Sequence, residues 1–117
     1  MSDKITFGQF ITLKRRQKNL SMRYLSKCIS VTLSFFSKME SGKRPAPSGK
    51  TQEIIARELN LTEEECIQFF DLAAETKRDG TLPHDISDYI NNDQDLTVFL
   101  RKVIKYRIKG ADLLKLI

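Results

Sequence analysis

Residues 28–48 read CISVTLSFFSKMESGKRPAPS. Two adjacent rings, Phe35 and Phe36, sit among hydroxyls, and the stretch then turns basic and prolyl from Lys43 and Arg44. A wholly buried segment would strand the hydroxyls, and a wholly solvated one would waste the rings. A short helix buried on one side satisfies both. Thr32 is a favourable N-cap for it, and Phe36 and Met39, three residues apart, share the inward face of a helix to about Glu40. Leu33, Ser34, Ser37 and Lys38 then lie near its other side. The following SGKRPAPSG is a loop by composition.

Working outward, Ser21 caps a preceding helix over Met22 to Cys28, with Met22, Leu25 and Ile29 inward. Further upstream, TFGQFITLKRRQK (residues 6–18) begins at a capping Thr6 and puts Phe7, Phe10 and Ile11 on one face. After the loop, a fourth helix runs from about Gly49 or Lys50 to Leu59, with Ile54, Ile55 and Leu59 as its apolar stripe. Thr62 and Glu65 form a capping box, and acidic residues fill the first turn of the fifth helix, where the helix dipole favours them. That helix carries Cys66, Ile67, Phe69, Phe70, Leu72 and Ala73, nearly apolar all round, so it belongs at the centre of the core or at an interface.

KRDGTLPHD, residues 77–85, reads as a linker with Gly80 and Pro83. The expected division is 1–76, a linker at 77–84, and a helical extension at 85–117. The extension holds a short helix around Asp85 to Asn91 and a longer one from about Asp95 to Ile108. Leu96, Phe99, Leu100, Val103 and Ile104 form one stripe of the longer helix, and Gly110 is its expected stop. The final ADLLKLI reads as a last turn or a frayed end.

The whole chain agrees with an all-α fold. It has 117 residues, 40% hydrophobic, with five Gly, three Pro, no Trp and no long strand-like run. Charge is unevenly spread. Residues 1–60 hold twelve Lys/Arg against four Asp/Glu, a net +8, and residues 61–117 hold eight against eleven, a net −3. The basic half contains the opening stretch, which points to an acidic partner such as nucleic acid. Cys28, Cys66 and the single His84 are too few and too scattered for a zinc site. Neither a metal cluster nor a Gly-rich phosphate loop is legible, nor a nucleophile with a base partner. The expectation is therefore a non-enzyme without cofactor. Asp85 and Asp88 share a helix face but are better explained as solvated, dipole-facing carboxylates. The N-terminus is too polar for a signal peptide, and no run approaches the roughly 20 apolar residues of a membrane span. A soluble, cytoplasmic protein with no membrane partner is expected.

Residues 11–48 resemble the lambda-repressor-like (XRE, Cro/C1-type) helix-turn-helix family. The likeness lies in FGQFITLKRRQKN ahead of the motif, LSMRYLSKCISVTLSFFSKMESGKR through it, and IARELNL after the loop. It covers roughly the first 75 residues, whose fold would then be a five-helix DNA-binding domain. The resemblance implies that Leu33, Ser34, Ser37 and Lys38 contact bases. Lys38 would donate to guanine, Ser34 would donate or accept, and Leu33 would meet a thymine methyl. Phosphate contacts would come from the helix starts at Ser21, Met22 and Thr32, with Arg23, Ser41, Lys43 and Arg44 extending the track. Arg15 and Glu40 would form a partly buried ion pair that fixes the recognition helix. Ser26 stands where relatives usually have Ala, and Ser30 where they most often have Gly. Phe35 is expected to cover the domain surface beside the second helix.

The implied function is sequence-specific binding of double-stranded DNA by a transcriptional regulator, most readily a repressor. It would act as a homodimer on a palindromic operator with half-sites about 34 Å apart. The extension would dimerise or hold a partner. No small-molecule effector is legible. The rival function is an antitoxin or other protein-interaction module that binds DNA secondarily.

Overall fold

The computed structural model describes residues 4–117, which form eight α-helices and no strand. They divide into two compact units, one ending at His84 and one from Asp85 to Ile117. The first unit contains α1 (Phe7–Gln17), α2 (Met22–Cys28), α3 (Leu33–Glu40), α4 (Gly49–Glu58) and α5 (Glu63–Glu75).

All five helices start on a hydroxyl. Thr6, Ser21, Thr32, Ser48 and Thr62 each accept a hydrogen bond from the backbone N–H three residues on. At Thr6 and Thr62 the third residue, Gln9 or Glu65, returns the contact to the cap backbone and completes a capping box. Helix ends follow an equally regular rule. Asn19, Ser30, Gly42 and Asn60 take positive φ just beyond α1, α2, α3 and α4. In each case the next N–H reaches back to the last turn: Leu20 to Arg15, Val31 to Ser26, Lys43 to Lys38 and Leu61 to Ala56. These are Schellman closures, which satisfy carbonyls that the helix itself cannot.

The core is one cluster of rings and aliphatic side chains drawn from all five helices. Phe69 on α5 packs against Phe7 and Phe10 of α1, with ring centroids 5.3 and 6.0 Å apart, and against Phe70 at 5.4 Å. Leu25, Phe36, Met39, Ile55 and Leu59 are buried in the same cluster. Gly8 permits the closest approach. A Cβ there would run into the Glu40 carbonyl and lie 2.9 Å from the Met39 carbonyl oxygen. Only glycine lets α1 cross the end of α3 this tightly.

Several expected positions shift. Met22 and Ile54 are half-buried, touching the core from its edge. Ile67 is 50% exposed, so α5 is not apolar all round but has a buried face through Phe69, Phe70, Leu72 and Ala73 and an open one. The chain turns at Thr76, the end of α5, whose hydroxyl accepts from Ala46 N–H at 2.8 Å.

The second unit contains α6 (His84–Asn91, its first residue still in the first unit), α7 (Gln94–Lys105) and α8 (Gly110–Leu114). Helix α7 starts one residue earlier than expected, because Asp93 caps it by accepting from Leu96 N–H at 3.0 Å. It also stops earlier. Arg107 takes φ +54°, and Ile108 N–H closes onto the Val103 carbonyl. Gly110 is therefore not the stop; it opens α8. None of the described residues from Asp85 to Ile117 is buried. Among the described residues, no helix is long and apolar enough to cross a membrane.

Candidate nucleic-acid interface

The segment α2–turn–α3 is held as one piece. Ser26, 3% exposed, lets the helices approach, and its hydroxyl donates to the Arg23 carbonyl at 2.8 Å. The turn passes through Ser30 at φ +58°, a conformation that costs an L-residue more than glycine. Phe36 and Met39 anchor α3 from beneath.

Beneath the end of α3 lies an ion pair. Arg15 Nε donates to Glu40 Oε2 at 2.8 Å and Nη2 to Oε1 at 3.2 Å, a two-pronged contact between side chains 11% and 9% exposed. Arg15 Nη1 also donates to the Leu20 carbonyl at 3.1 Å, and the Thr12 hydroxyl donates to Glu40 Oε1 at 3.0 Å. The planar guanidinium suits this fork, and the surrounding bonds offset the desolvation of both charges. The pair ties α1, the chain after it and α3 together.

The four side chains expected to meet bases, Leu33, Ser34, Ser37 and Lys38, are all exposed. Leu33 is 39% exposed, an apolar patch on an otherwise polar face. The neighbouring helix starts present donors. Ser21 Oγ accepts from Tyr24 N–H at 2.9 Å and Thr32 Oγ1 from Phe35 N–H at 3.0 Å. Each hydroxyl keeps its own proton to give, and the first-turn N–H groups have no acceptor within the helix. Met22 can contribute only its backbone there, because its side chain leans on the core. Arg23 is exposed.

The basic loop is pinned. Lys43 N–H donates to the Lys38 carbonyl at 2.9 Å, and the Arg44 guanidinium lies 4.2 Å from the centre of the Phe35 ring. Phe35 is half-buried against the core, so it is both a cover and a platform for Arg44. Lys43 and Arg44 remain exposed. Ser41 is the exception in the set. Its N–H donates to the Ser37 carbonyl and its hydroxyl to the Lys38 carbonyl at 3.1 Å, so both donors are engaged within the helix end.

Sequence reasoning missed Thr76, which holds the loop at Ala46 from thirty positions away. It also missed Tyr24, whose hydroxyl donates to Glu58 at 2.7 Å and links α2 to α4. That hydrogen bond, with smaller effects from Cys28, pushes the phenol up to about 12. His84 contacts the Glu53 carboxylate and faces Phe70 at 5.8 Å between ring centres. The His84 contact holds the Glu53 carboxyl below its usual range. No family model, no curated protein and no solved structure matches this chain.

Proposed function

We propose that the first unit is a five-helix, lambda-repressor-like domain that binds double-stranded DNA, with α3 as the recognition helix. The chain then acts as a transcriptional regulator, most readily a repressor working as a homodimer in the cytoplasm. One observation carries the reading. Leu33, Ser34, Ser37 and Lys38 are all exposed on one helix, while a nearly buried ion pair fixes that helix from below. A solvated surface helix has no need of such a clamp. Two hydroxyl-capped helix starts and two loop cations flank the face and suit phosphates, which position a protein without reading sequence.

Selection of bound sites from a random duplex library at near-physiological salt tests the proposal. A short inverted repeat bound by two chains is the expected result, and absence of any enriched sequence would sink it. Lys38→Ala should then cost about 1–3 kcal/mol of specific binding and relax one base position. Lys43→Ala should weaken all sequences alike and flatten the salt slope by roughly one. The rival reading, an antitoxin or other interaction module, draws on the exposed apolar side chains of α7 and α8. Under it, the neighbouring gene should encode the toxin.

A further inference from the structure

The second unit carries apolar side chains that it does not bury. Phe99 is 48% exposed and Ile104 is 73% exposed, both on α7. A unit of fewer than about 40 residues seldom holds itself together without a metal, a disulfide or association. Its two cysteine-free ends also differ in sign. From Asp85 to Asp95 there are four aspartates and no Lys or Arg, whereas from Arg101 to Lys115 there are six cations and one aspartate.

Helix α7 sharpens this polarity into a register. Phe99, exposed, and Leu96 and Val103, half-buried, follow the three-then-four spacing of a two-helix seam. Asp95 and Lys102, seven residues apart, lie along one line beside that seam, and both are exposed. With a two-fold axis passing between Thr97 and Val98, antiparallel copies set Leu96 of one against Phe99 of the other and bring Asp95 of one beside Lys102 of the other, and the reverse at the far end. Parallel copies would instead place Asp95 beside Leu100 of the second chain, with no opposite charge across from it.

We infer that α7 is a self-association surface whose occupant is α7 of a second copy, antiparallel, in register through reciprocal Asp95–Lys102 ion pairs. The inference deepens the dimeric reading proposed above by naming its interface. A two-fold contact is self-complementary, so one aspartate and one lysine supply both ion pairs. Charges flanking such a seam add modest affinity but choose orientation, because the other orientation leaves them without an opposite charge.

Sedimentation equilibrium of the full chain over a wide concentration range, with the variants Asp95→Lys and Lys102→Glu, tests it. Wild type should dimerise. Each variant alone puts like charges at both ends, and its dimer dissociation constant should rise at least about tenfold, which is 1.4 kcal/mol. An equimolar mixture of the two variants recreates both ion pairs and should recover dimers of near wild-type affinity. That recovery separates the interface from mere helix weakening, since both substitutions also oppose the α7 dipole. A monomeric wild type, variants that dimerise as well as wild type, or a mixture that stays monomeric would each overturn the inference. Duplex selection on the same samples keeps the two proposals apart. A wild-type dimer lost in both variants and restored in the mixture, without sequence enrichment, supports the interface and removes the operator reading. Operator binding by a dimer indifferent to both substitutions does the opposite.

Discussion

Arg15 shows how much a single residue can hold. Its guanidinium serves Glu40 and the Leu20 carbonyl at once, in a setting with little water. Arg15→Met should cost about 3–5 kcal/mol in urea unfolding, because Glu40 is left as an unpaired, nearly buried charge. The double variant Arg15→Met/Glu40→Leu should recover a large part of that loss; if it were as unstable as the single variant, stranded charge would not be the cause. Ser30 offers the opposite case. It pays for a left-handed backbone of about 1–2 kcal/mol that glycine escapes, less glycine's own entropy of about 0.5–1 kcal/mol. Ser30→Gly should therefore stabilise the first unit by about 0.5–1 kcal/mol in the same measurement. Asn19 and Asn60 adopt the same geometry with a side chain that tolerates it better.

At the scale of elements, helix starts were legible and helix ends less so. Thr6, Ser21, Thr32 and Thr62 announce themselves, because a short hydroxyl before an apolar run has one obvious use. The end of α7 was misplaced because Arg107 gives no chemical sign of a positive φ, while Gly110 gives a false one. Side-chain bonds between elements were legible only where a family likeness pointed to them. Arg15–Glu40 was expected on that ground, but Lys14–Glu65, which joins α1 to α5 at 2.5 Å, was not. With the backbone of Thr62, Lys14 holds the Glu65 carboxyl down to about 2, against an ordinary 4.5. A lowered carboxyl contributes stability above its unfolded value and loses it as pH falls through the folded one. Wild type should accordingly lose stability between about pH 4.5 and 2, and Lys14→Met should flatten that slope. Melting temperatures taken across this range at constant ionic strength would show it, and parallel slopes would refute it.

For the molecule as a whole, composition and periodicity gave the all-helical class, because amphipathic stripes are local in sequence. Where one unit ends is a long-range matter. Residues 77–84 read as a linker, yet His84 reaches Glu53 and Phe70, contacts that no local pattern encodes. A chain cut after His84 should keep a cooperative melt and the near-ultraviolet signal of its packed rings, since every buried side chain lies before that point. Loss of cooperativity would show that the first unit depends on the second. The missing residues carry most of the exposed large apolar side chains, so the shortened chain should also be monomeric in sedimentation.

The loop after α3 is fastened at Lys43, Arg44 and Ala46, to α3 on one side and to Thr76 on the other. Such a loop has little to rearrange when it meets a partner. In the proposed DNA complex, the tempo of encounter would then be set by diffusion and charge. Association would show one kinetic phase, quickened by lowering salt, with no slower ordering step behind it.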